Sequence, residues 1–84
     1  MKKILYFSAK WCGPCKQLGP VMDSLSAEGL PIQKIDVDEN NQLSAEYAIR
    51  NIPCLVLVDA NGNEVKRLLG NNSSNTIKNW YNQN

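Results

Sequence analysis

Two thiols stand three residues apart in Ala9-Lys10-Trp11-Cys12-Gly13-Pro14-Cys15-Lys16, directly after a short apolar run. A pair at that spacing can clip a metal, staple a loop, or cycle between dithiol and disulfide. Structural zinc within one chain needs four ligands, commonly two such pairs or one pair with histidines. Only Cys54 remains as a further cysteine and the chain has no histidine, so no metal site is expected. A cluster shared between two chains has no other support. An odd, low cysteine count also argues against a secreted disulfide scaffold, and in a reducing compartment a close pair is more often catalytic or metal-binding than a static staple.

The redox couple has a positive physical case. If a helix begins near Cys12, the free backbone N–H groups and the macrodipole at that end favour an anion. A Cys12 thiolate is stabilised there relative to an ordinary thiol of pKa about 8.5. Lys10 and Lys16 add a small push in the same direction. Cys15, at i+3, shares the helix side with Cys12 and lies within the separation that a disulfide bridges. One turn deeper and closer to the core, Cys15 is expected to stay a thiol until it is needed. Cys12 therefore attacks and Cys15 resolves. Pro14 gives up an N–H that the first turn leaves unpaired anyway, and its fixed φ pre-forms that turn. Gly13 permits close backbone approach by a partner.

Around this pair the patterning predicts a compact set of elements. Residues 3–8 read as a short buried strand. From Lys16, Leu18, Val21, Met22 and Leu25 mark one helix face, with Pro20 expected to kink the helix and Gly29 and Pro31 to end it. Ile32, Ile35 and Val37 mark a second strand. A second helix is expected over 41–49, with Leu43, Tyr47 and Ala48 inward. The run Leu55-Val56-Leu57-Val58 suits a strand covered on both faces. Asp59-Ala60-Asn61-Gly62-Asn63 predicts a hairpin into Val65–Leu69. Ser73 or Ser74 then caps a last helix carrying Ile77, Trp80 and Tyr81 on one face. The order is β-α-β-α-β-β-α, a mixed α/β sheet with helices on both faces, its first β-α-β unit a right-handed parallel crossover.

Length and charge bound the rest. At 84 residues with a formal net charge of +1, the chain is read as one domain over residues 1–84. Both signs are scattered, so no basic face nominates nucleic acid. No run approaches the ~20 apolar residues of a membrane helix. Ile4-Leu5-Tyr6-Phe7 is cut short by Ser8 and Lys10, below the roughly 7–15 apolar residues of an export signal. A cytoplasmic location is expected.

Trp11-Cys12-Gly13-Pro14-Cys15-Lys16 followed by Pro20 resembles the active-site helix of the thioredoxin family. The likeness extends along most of the chain. Ile52-Pro53 falls where the family has an isoleucine and a cis-proline beside the disulfide, Asn61-Gly62 at its hairpin turn, and Gly70 at a glycine bordering the substrate groove. Lys34, Asp38 and the pattern Tyr47-x-Ile49-Arg50-x-Ile52-Pro53 also align. The resemblance implies a minimal thioredoxin fold: a four-stranded mixed sheet in order 2-1-3-4 flanked by three helices. It implies a monomeric reductase of protein disulfides acting through a reversible Cys12–Cys15 disulfide, with no bound cofactor. A thioredoxin reductase-type donor would re-reduce it. Trp11, Ile52 and Gly70, with Gly13 and Pro14, would form the substrate platform, the Ile52 backbone pairing with the substrate as an added strand. Gly13, Pro14, Pro53, Tyr6 and Lys34 would support the pair.

Several positions depart from the pattern. Typical family members have one more strand and helix ahead of the strand that leads into the active site. Four strands, the size of a glutaredoxin, make the Ile32–Val37 strand an edge, and polar Gln33 and Lys34 agree. Tyr6 stands where the family usually has a buried aspartate near the inner cysteine. A phenol of pKa about 10 is a poor base at neutral pH. Water or another group must then serve, or resolution is slower. Lys34 loses its usual partner, for which Asp36 is a conceivable substitute. Ser8, where a tryptophan is common, shrinks the apolar patch. Cys54 replaces a usual threonine, either as a small buried residue or as a third redox thiol. Two other functions stay open: a glutathione-dependent, glutaredoxin-like enzyme, and a non-catalytic binding subunit. Gly-Pro between the cysteines and Gly70-Asn71-Asn72 disfavour the former.

Overall fold

In the computed structural model, which describes residues 1–83, seven elements follow the expected order. They are β1 (Lys3–Ser8), α1 (Gly13–Ala27), β2 (Ile32–Asp36), α2 (Asn41–Glu46), β3 (Cys54–Val58), β4 (Glu64–Leu69) and α3 (Ser74–Asn82). The sheet runs β2-β1-β3-β4. β1 lies parallel to β2 and antiparallel to β3, and β3 is antiparallel to β4. The mixed four-stranded sheet of order 2-1-3-4 and its three helices match the expectation. Asn84 lies outside the described residues.

Alternation along the two central strands divides the core into layers, because successive side chains of a strand point to opposite faces. Ile4, Tyr6, Leu55 and Leu57 pack with Leu18, Met22 and Leu25 of α1 and Ile77 of α3. Leu5, Phe7, Cys54, Val56 and Val58 pack on the other face with Ile35, and Leu43 of α2 and Tyr47 just after it lean against them. All five residues of β3 are buried, which is why its sequence reads as an unbroken apolar run.

The element ends follow local chemistry. Gly29 adopts φ +108°, a left-handed conformation that ends α1 at low steric cost and lets the Leu30 N–H reach the Leu25 carbonyl. α1 runs unbroken through Pro20, whose ring side faces solvent. The Asp59 carboxylate accepts the N–H groups of Asn61 and Asn63 and so shapes the hairpin. Ser73 caps α3 through the Thr76 N–H.

α2 is shorter than the apolar spacing suggested. It stops at Glu46, and Ala48 takes φ +51°. That turn leaves Ala48 exposed instead of inward, and Ile49 packs against the core in its place. Short helices gain most of their stability from packing, and here Leu43 and Tyr47 already supply the contact.

Candidate active site

β1 delivers the chain from the centre of the sheet to one end, where α1 starts at once. Cys12 is the N-cap of α1: its backbone is extended and its Sγ accepts the Cys15 N–H at 3.2 Å. Cys12 and Cys15 form a disulfide with α-carbons 5.2 Å apart. Both are buried, at 5% and 4% exposure, so depth does not separate them as the spacing alone suggested. Their bonding does. Cys12 Sγ lies at the orphan N–H end of the helix and 3.8 Å from the Ile52 carbonyl oxygen. Cys15 sits within the first turn, and its carbonyl accepts the Tyr6 hydroxyl at 3.2 Å.

Three loops meet around the pair. The Ile52–Pro53 peptide bond is cis. Gly70, at φ +85°, donates its N–H to the Pro53 carbonyl at 3.0 Å, so the bend after β4 is pinned to the proline loop. A side chain at Gly70 would be strained by that φ even where space is open. Ala9, Cys12 and Cys15 form a small apolar cluster against Val37 and Ile52. Trp11 is 67% exposed, yet its indole N–H is fixed on the Asp38 carboxylate at 2.8 Å. Sequence reasoning aligned Asp38 without giving it a role, since a contact across 27 residues leaves no local signal. Asp38→Asn retains an acceptor but loses the charge, which carries roughly half the strength of such a bond. The expected result is a KM for a protein disulfide raised by about two- to fivefold with kcat held, measured by steady-state reduction of insulin.

Tyr6, Lys34 and Cys15 border one cavity on the side of α1 that faces β1 and β2. Burial pushes the Tyr6 phenol above its ordinary pKa, against smaller opposing effects from Ser8 and Lys34. It is therefore a hydrogen-bond donor at neutral pH and no base. Lys34 pairs with Asp23 of α1 at 2.5 Å, which corrects the expectation of Asp36 as its partner. The Asp36 carboxylate is instead occupied by the backbone N–H groups of Asp38 and Glu39, at 2.8 and 3.4 Å, in the turn after β2. Lys10 stands 3.8 Å from Glu39 with both side chains solvated, so its push on Cys12 is small. No group of three or more potential metal-ligating side chains occurs among the described residues.

Cys54 packs in the α2-side core with Phe7 and Val56, whereas Cys12 belongs to the separate cluster at the helix start. The structure thus accounts for Cys54 as a small buried side chain opening β3. Burial raises its thiol pKa, with the Arg67 charge opposing. Folding then keeps a proton on Cys54 that the unfolded chain sheds near pH about 8.5. Stability is whole below that pH and falls as pH rises through the folded value, at no more than about 1.4 kcal/mol per pH unit. In a Cys12→Ser, Cys15→Ser background, urea midpoints should decline from pH 8 to pH 10 by more than those of the same protein carrying Cys54→Val.

The family model Thioredoxin matches residues 1–83. A thioredoxin of Rickettsia felis is 38% identical over 80 residues, covering 92% of this chain and 75% of the relative. One from Chlamydia pneumoniae is 41% identical over 80 residues, covering 92% and 76%. The chain belongs to the thioredoxin family. Solved thioredoxin structures agree in three dimensions. A thioredoxin variant from Halobacterium salinarum superposes with a TM-score of 0.82 at 40% identity, over 94% of this chain and 70% of that one. A thioredoxin from Nicotiana alata gives 0.85 at 32% identity, over 94% and 69%. With the Cys12–Cys15 pair in place, this thioredoxin-family protein is a thiol–disulfide oxidoreductase that reduces protein disulfides. No helix among the described residues is long and apolar enough to cross a membrane.

Proposed function

We propose that Cys12 is the attacking thiolate and Cys15 the resolving thiol in the reduction of protein disulfides. The observation that carries this reading is the position of Cys12 Sγ as the cap of α1, where it accepts the Cys15 N–H at 3.2 Å. A thiolate at that point collects a charge-assisted hydrogen bond and the favourable end of the helix dipole. The thiolate attacks one sulfur of the substrate and expels the other, leaving a mixed disulfide on Cys12. Cys15 then attacks Cys12 Sγ, closes the disulfide and frees the reduced substrate. The short distance between the two α-carbons supports direct closure.

Trp11, Ile52 and Gly70 serve as the platform on which the substrate segment lies, with Gly13 and Pro14 leaving the approach to Cys12 open. Exposure of the Trp11 ring and its anchorage on Asp38 support this role. Pro53 and Gly70 hold the Ile52 carbonyl beside Cys12 through the bond between their loops. Tyr6 and Lys34 act as supports behind Cys15. A thioredoxin reductase-type flow of electrons returns the pair to the dithiol. The setting is cytoplasmic redox homeostasis by a single-domain monomer, supported by the low cysteine count and mixed surface charge.

Trapping tests this directly. A Cys15→Ser variant, mixed with a disulfide-containing protein, should accumulate a covalent adduct on Cys12 that dithiothreitol releases. Turnover sustained by glutathione and its reductase, but not by a thioredoxin reductase, would instead assign the protein a glutaredoxin-like donor.

A further inference from the structure

We propose that Cys15 loses its proton to water in the cavity behind α1, with no side-chain base, and that Gly19 keeps that cavity open. The proposal rests on the assignment of Cys15 as the resolving thiol. The cavity holds about 200 Å³, opens to solvent, and has Cys15, Gly19, Ser8 and Tyr6 in its wall. That volume admits several water molecules next to hydroxyl, carbonyl and ammonium partners.

None of the charged or titratable groups around it is hydrogen-bonded to the Cys15 sulfur. The Tyr6 hydroxyl donates to the Cys15 carbonyl, and burial keeps it protonated. Lys10 and Lys16, near the start of α1, are cations and accept no proton. Lys34 enters from β2 and is held on the Asp23 carboxylate of α1. Asp36, the remaining carboxylate in the wall, accepts two backbone N–H groups of its own turn through Oδ1 and makes no hydrogen bond to Cys15. With no side-chain base bonded to Cys15 Sγ among the described residues, solvent in the cavity is the acceptor beside it.

The step balances as follows. The Cys15 S–H gives its proton to water and the proton leaves through the cavity mouth. The Cys15 thiolate attacks Cys12 Sγ of the mixed disulfide, the Cys12–Cys15 bond forms, and the bond from Cys12 to the substrate sulfur breaks. The substrate leaves as a thiolate that takes a proton from water. The pair is oxidised by two electrons and the substrate is reduced by two.

Gly19 lies four residues after Cys15, on the same helix face. A Cβ built there meets no atom within 4 Å, so a side chain can be added at this point of the cavity wall without a clash at its first atom. The test uses a symmetrical nitrobenzoate disulfide, each half of which absorbs light when released, in a Cys54→Ala background. Stopped-flow mixing with reduced protein gives a first release on attack by Cys12 and a second on resolution by Cys15. Gly19→Leu should slow the second release about tenfold and leave the first unchanged, with Gly19→Ala in between. Added imidazole should speed the second release when residue 19 is glycine and lose that effect in Gly19→Leu. An unchanged second release in Gly19→Leu, or no response to imidazole in the protein with Gly19, overturns the proposal. A second release that persists in Cys15→Ser would overturn the resolving assignment itself, a separate failure that Gly19 does not decide.

Discussion

Cys12→Ser should lower insulin reduction by at least about 10³-fold, while Cys15→Ser should stop the enzyme after one attack with substrate bound through Cys12. The expectation follows from the unequal chemistry of the two positions. Only Cys12 Sγ stands at the cap, where the Cys15 N–H and the end of α1 favour a sulfur anion. A hydroxyl at the same place is not ionised at neutral pH and leaves the substrate disulfide untouched. A staple role predicts the reverse pattern, with stability lost and turnover irrelevant. The loop closed between Cys12 and Cys15 is too short for a large chain-entropy effect. The measurement is steady-state reduction of insulin with each variant, with mass spectrometry to count covalent adducts. Full biological activity in a Cys12→Ser, Cys15→Ser double variant would favour the binding-subunit role.

Phe7→Ala should destabilise the protein by about 3–5 kcal/mol, the cost of deleting a fully buried ring whose site cannot collapse. Phe7 has no solvent exposure and is held between β2, β3 and α2, with the Tyr47 ring 6.0 Å away in a tilted arrangement. A chain of this length has a total stability of roughly 4–13 kcal/mol. Removal of one side chain therefore consumes a large part of it, and the active site fails with the fold because β1 carries both Phe7 and the approach to Cys12. Urea unfolding of the oxidised protein followed by tryptophan fluorescence gives the difference. A loss below about 1 kcal/mol would mean that the α2-side core does not hold the sheet as described.

The parts of this molecule that were legible in the sequence are those whose signal is local. Strand β3 could be read because burial on both faces forces the unbroken apolar run Leu55-Val56-Leu57-Val58. The α1 face could be read because Leu18, Met22 and Leu25 repeat at helical spacing. The cysteine pair announced itself for the same reason, since both sulfurs and the turn that joins them occupy four adjacent residues. What escaped was decided at a distance or by backbone conformation. The pairing of Lys34 with Asp23, and not with nearby Asp36, depends on how α1 lies over β2. Asp36 itself is spent on the turn that follows it. The early end of α2 depends on Ala48 adopting a positive φ that alanine rarely takes. The equal burial of the two cysteines contradicts a reading from helix depth alone, because the Ile52–Pro53 loop covers Cys12 as well.

Carboxamidomethylation of the reduced protein as a function of pH, with labelling at each cysteine read by mass spectrometry, addresses the reactivity of Cys12 most directly. The predicted result is a half-maximal rate at Cys12 at a lower pH than for the same residue in the urea-unfolded chain, with Cys54 unlabelled until the fold opens. Coincident pH profiles for folded and unfolded Cys12 would contradict the role assigned to the start of α1.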